Sequence, residues 1–178
     1  MITPRIDGTF RIHSSTAQFL HAFQERVAAG LLAGRPHRRS NYEIADVGPD
    51  RLRMYAADWR TAVNVGLNEL DLRFPTPSSV YYEVGFWRWA AYALILSGTL
   101  GAIGVLLLLT TDVRGYVTRH SASRLPGFSI EQNVTIAWAM VLFWGFVWPW
   151  LLIALHKRPL RRLVERLLTD IDVVAASG

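Results

Sequence analysis

At 178 residues, with 51% hydrophobic and 19% charged side chains, the chain has the average composition of an ordinary globular protein. Its net charge of +5 comes from eighteen arginines and one lysine, Lys157, but the arginines of the first half are interleaved with acids, which speaks against a nucleic-acid partner. Cysteine is absent, so disulfides, thiolate metal sites and cysteine nucleophiles are excluded.

Arg5, Asp7 and Arg11 interrupt the N-terminus before any apolar run, so no cleavable signal peptide is expected there. Gly8 to His13 alternates Phe10 and Ile12 with polar residues and predicts a short strand. Ser15 and Gln18 have the spacing of a capping box, and Phe19, Leu20, Phe23, Val27 and Leu31 recur at helical spacing until Gly30 and Gly34. A basic loop follows, with Arg35, His37, Arg38 and Arg39; clustered guanidinium groups can hold phosphate, which makes these four the candidate anion-binding residues.

From Asn41 to Phe74 the period becomes two. Tyr42 and Ile44, a turn at Gly48-Pro49-Asp50, then Leu52, Met54 and Ala56 predict a hairpin. Val63, Val65 and Leu67 predict another strand, and Leu70, Leu72 and Phe74 a further one, with a turn at Asn68-Glu69 or a bulge at Gly66 accounting for the phase shift. Val80, Tyr82 and Val84 predict a last strand. The expected architecture over 1–85 is a small cytoplasmic α+β domain of β-α-β-β-β-β order, an antiparallel sheet with one covering helix.

Twenty-three residues without a charge separate Arg88 from Asp112, and twenty-five separate Glu131 from Lys157. About 20 apolar residues suffice to cross the hydrocarbon core of a bilayer as a helix. Two transmembrane helices are therefore expected, at 86–111 and 132–156, joined by a short extracytoplasmic loop at 112–131. Ser129 and Gln132 repeat the capping-box spacing, and Gly145 with Pro149 predicts a kink in the second helix. Beyond Pro159, where a new helix is expected to begin, Leu160, Leu163, Val164, Leu167, Leu168, Ile171 and Val174 form the apolar stripe of an amphipathic helix over 157–178. Basic residues near the proposed bilayer are more numerous on the flanks shared with both termini than in the loop, which predicts a plasma- or inner-membrane hairpin with both termini cytoplasmic.

Ser97, Gly98, Gly101, Ala102 and Gly104 form a small-residue face on the first span, and Trp144 and Trp148 share a face of the second. These are the expected helix-packing residues, since small side chains let backbones approach closely in lipid. The aromatic face is also where a bound lipid, quinone or pigment would sit, although no residue in the span marks it as a specific cofactor site, and none is assigned. Trp87, Trp89, Tyr92 and Trp150 with Lys157, Arg158, Arg161 and Arg162 are the expected membrane-interface residues, rings at headgroup level and cations toward anionic lipid. Phosphate loops, nucleophile elbows, paired carboxylates and metal constellations are not found, so a non-enzymatic role is expected.

Those features describe an integral membrane interaction protein, an accessory or scaffolding subunit of a larger bacterial-type membrane assembly. Its expected partners are membrane lipids and other membrane protein subunits, or further copies of itself. Two other readings follow from particular residues: a sensor that binds a small anion at the arginine loop, and a homo-oligomeric pore.

Overall fold

A computed structural model describes residues 3–31, 41–120, 125 and 127–177. The chain divides into two compact units, Met1–Ala91 with Leu155–Gly178, and Tyr92–Ala154.

The first unit is built on five antiparallel strands in the order β1-β5-β4-β3-β2: β1 is Arg5–Arg11, β2 Tyr42–Val47, β3 Arg51–Ala56, β4 Glu69–Thr76 and β5 Ser79–Gly85. Alternation decides which face is buried. Leu52 pairs with Leu72, Met54 with Leu70, and Leu70 and Leu72 pair with Val84 and Tyr82, so one face is wholly apolar and carries residues that are all but inaccessible. Helix α1 (Thr16–Ala28) begins at the expected box, where Ser15 and Gln18 satisfy each other's backbone N–H groups. Its Phe19 meets Phe74 edge to face at 5.9 Å.

A second helix shares that face. α6 (Trp148–Ser177) buries Leu160, Val164, Leu167, Leu168, Ile171 and Ala175, and its Glu165 accepts a hydrogen bond from Tyr82 on β5 at 3.3 Å. Most of the amphipathic stripe read from the sequence is thus covered within the chain, although Val174 is exposed and Leu163 half-buried, and the sheet has two covering helices rather than one. No new helix starts at Pro159, which lies inside α6 at an exposed position. Proline removes one backbone donor and crowds the preceding turn. The helix continues through it because the following stripe is held against the sheet.

The expected strand at 63–67 is instead the end of helix α2 (Trp59–Val65), so the order is β-α-β-β-α-β-β. Asp58 caps α2 by accepting the Thr61 N–H at 2.7 Å, and Gly66 ends it in the left-handed region at φ 76°. Val63 and Val65 alternate as they would in a strand, but the cap and the terminal glycine impose the helical period.

The second unit contains most of helix α3 (Trp87–Thr110), helix α4 (Val113–Arg119), helix α5 (Ile130–Leu142), a π-helical stretch Phe143–Val147 and the first turns of α6. α5 starts at the predicted Ser129–Gln132 box. Part of the expected loop is helical: Asp112 accepts the Gly115 N–H at 2.9 Å and caps α4, and Arg114 pairs with Glu131 at 2.6 Å. From Ile130 to Ser177 the helix is continuous. The π-helical stretch stands where Pro149 has no N–H to offer the Gly145 carbonyl, and the Trp148 N–H reaches back five residues to Phe143.

Both α3 and the long helix that begins at Ile130 are long and apolar enough to cross a membrane.

Candidate functional site

Two sets of residues stand out, one in each unit. In the second unit α3 and the π-helical stretch after α5 meet at a glycine pair: a methyl group placed on Gly101 would lie 2.7 Å from the Gly145 Cα. One turn on, Gly104 faces Val141, which a methyl group there would meet at 2.8 Å. Gly98 has open space around it, and Ala102 is exposed. The small-residue face is therefore used along 101 and 104, and Gly145 is the partner that sequence reading assigned only to a kink. Its signal was the i, i+4 relation to Pro149, which hid its role as a contact.

Beside the crossing lies a groove of about 380 Å³ whose floor is Ser97, Gly101 and Gly145 and whose wall is Trp144 and Trp148. The two indoles are 4.7 Å apart at 61°. Around the groove the helices are mostly uncovered, with Leu100 61%, Leu106 60% and Leu109 68% exposed.

In the first unit, the candidate face is the end of the sheet from which α3 departs. Register places Arg5, Gly85, Glu69, Tyr55 and Glu43 in one row there. Asn68, buried just before β4, accepts the Arg88 N–H at 2.9 Å and so satisfies one orphan donor of α3's first turn. The Trp87 indole donates to Glu69 at 3.2 Å and meets Trp59 of α2 edge to face at 5.8 Å. The Arg88 guanidinium donates to the Ala56 carbonyl at 2.9 Å and lies 5.4 Å and 5.9 Å from the Trp87 and Trp59 rings. Trp89 stacks on His156 at 4.0 Å, and Phe86 is buried against both.

The sequence-assigned interface residues thus divide. Trp87, Tyr92 and Trp150 are exposed, whereas Trp89 is half-buried under an imidazole. Arg158 and Arg162 are exposed and Lys157 is half-buried, but Arg161 donates to the Asp7 carbonyl of β1 at 3.1 Å. Arg35, His37, Arg38 and Arg39 lie outside the described residues.

One polar cluster holds the ends of the chain together. Asp172 of α6 accepts both backbone N–H groups of His13 and Ser14, the Ser14 hydroxyl at 2.7 Å and the His13 Nδ1 at 2.9 Å. Burial alone would raise its pKa, but the bonds from Ser14 and His13 outweigh burial and hold the carboxyl at about 2. Serine, histidine and aspartate here do not form a catalytic relay. Both partners bond to the carboxylate, whereas a relay needs the imidazole between acid and hydroxyl. Sequence reading passed over Asp172, because its partners are some 158 residues away in the chain.

The sheet's outer face is charged. Asp71 is bidentate to Arg51 at 2.8–3.0 Å and also pairs with Arg73 at 3.0 Å, and Arg5 pairs with Glu83 at 3.2 Å. These carboxylates and guanidinium groups largely satisfy one another. Among the described residues, no group of three or more His, Asp or Glu side chains is placed to hold a metal ion.

No protein-family model, characterised protein or solved structure matches this chain.

Proposed function

We propose that the chain is a non-enzymatic membrane interaction protein, in which a cytoplasmic α+β head is held by two spanning helices, α3 and the Ile130 helix, and serves as an accessory subunit of a larger membrane assembly. The observation that carries this reading is the uncovered apolar surface of the second unit, where Leu100, Leu106, Leu109, Trp144 and Phe146 are each 45–68% exposed. Water would penalise that surface at about 25 cal/mol per Å², whereas lipid or partner helices would accept it without cost.

The hairpin topology has separate support. Asp172 binds the His13–Ser14 backbone, so the segment before α3 and the C-terminal part of the second long helix occupy the same side of any bilayer. Two crossings meet that requirement. The cytoplasmic side for both termini is supported by the excess of basic residues on the flanks they share.

Adhesive surface is smaller than the sequence reading supposed, since most of the tail stripe, Val174 apart, is buried on the head. What remains is the lipid-level surface around the Trp144–Trp148 groove, which would take another subunit's helix or a lipid. The test is purification of the full chain from membranes in mild detergent, followed by mass measurement of the intact particle. Defined foreign subunits are the expected result, a closed self-multimer would favour the pore, and a lone monomer after native-lipid extraction would overturn the proposal.

A further inference from the structure

The geometry points to a second membrane contact: the Trp59–Trp87 pair and Arg88 form a phospholipid-headgroup site that seats the end of the head domain on the bilayer surface. It rests on the membrane-anchored reading above and adds to it a residue, Trp59, that lies 28 positions before α3 in the chain.

Three observations converge. Trp59 and Trp87 are 52% and 44% exposed, although they contact each other at 5.8 Å. Large indoles left half in solvent are what the headgroup layer selects. Trp87 is also the first residue of the apolar helix, so the pair stands at the depth where hydrocarbon gives way to headgroups if α3 spans.

Charge is the third. Arg88 lies against both rings, and only one of its donors is spent, on the Ala56 carbonyl. Among the described residues no carboxylate pairs with it. The nearby acids are already engaged: Asp58 caps α2 and binds Asn41, and Glu69 takes the Trp87 indole. A guanidinium flanked by two aromatic faces and lacking a counter-ion suits a phosphodiester, whose single negative charge is shared over two oxygens. The adjacent Arg60 is exposed and adds to the attraction for an anionic leaflet.

Because the chain has no cysteine, single cysteines report position cleanly. Full-length protein is reconstituted in phosphatidylcholine nanodiscs, with or without phosphatidylglycerol, carrying bimane at Arg60→Cys, Asp50→Cys or Leu100→Cys. Asp50 precedes β3 at the far end of the sheet, about 20 Å away for six strand residues. A headgroup nitroxide is expected to quench the Arg60→Cys probe several-fold more than the Asp50→Cys probe. Replacing both indoles (Trp59→Ser with Trp87→Ser) should bring the two to the same level. Phosphatidylglycerol should deepen the quenching in the parent and in Arg88→Lys but not in Arg88→Gln. Equal, weak quenching at 60 and 50 while an acyl-chain nitroxide quenches Leu100→Cys would overturn the headgroup site and leave the anchor standing. Absence of quenching at Leu100→Cys would remove the anchor, and this site with it.

Discussion

The two units spend apolar side chains in opposite ways. In the head, Leu52, Leu70, Leu72, Val80, Val84, Val164 and Leu168 are sealed from solvent, whereas in the helical unit leucines of the same type stand open along α3. Identical chemistry therefore has two outcomes: a core closed to solvent, and an apolar surface left open. The polar groups repeat the contrast. Asp172 collects four donors in the head, while Thr110, Thr118 and Thr135 of the helical unit return to carbonyls of their own helices.

That contrast can be broken in four places. The largest effect is expected from Leu168→Ala, which empties a fully buried position and should cost the head about 3 kcal/mol, against almost nothing for Leu106→Ala at a 60% exposed site. Thermal unfolding of the full chain in detergent, followed by amide exchange in the sheet, measures both. Equal losses at the two positions would mean that the units do not differ in burial at all.

Next comes Asp172. Its folded pKa of about 2 lies below the unfolded value near 4, so its contribution, about 2 kcal/mol, is present above pH 4 and is lost as pH falls toward 2. Asp172→Asn should abolish that part of the acid sensitivity while lowering stability at neutral pH. An unchanged acid profile would show that other carboxylates dominate.

A more local change is expected from Gly101→Val, whose side chain would strike the Gly145 backbone. Spin labels on α3 and α5 should move apart while the melting of the head stays as it was. Coupled loss of both would mean that the head depends on the helix crossing. The smallest effect belongs to Arg73→Gln on the outer face: Arg73 is 53% exposed and Asp71 keeps Arg51, so no measurable shift in melting temperature is expected.

Much of this was legible in local patterns. Both capping boxes, at Ser15 and Ser129, needed only three residues of context, and the strands at Leu52–Ala56, Leu70–Phe74 and Val80–Val84 needed only alternation. Helix α2 was missed because Val63, Val65 and Leu67 alternate too. The deciding residues were the flanking Asp58 and Gly66, whose cap and left-handed turn outweigh a three-residue β pattern. Helix α4 escaped notice for a similar reason, its signal being the single cap Asp112.

By itself, the order of residues determined the two long uncharged stretches, the period of most faces and the starts of the two helices with capping boxes, because these depend on neighbours within one or two turns. Only the tertiary structure decided where the amphipathic tail lies, which glycines meet, and that Trp59 joins Trp87. Those outcomes depend on partners dozens of positions apart. Their choice is settled by which surfaces fit once the sheet has closed, and no local spacing carries that information.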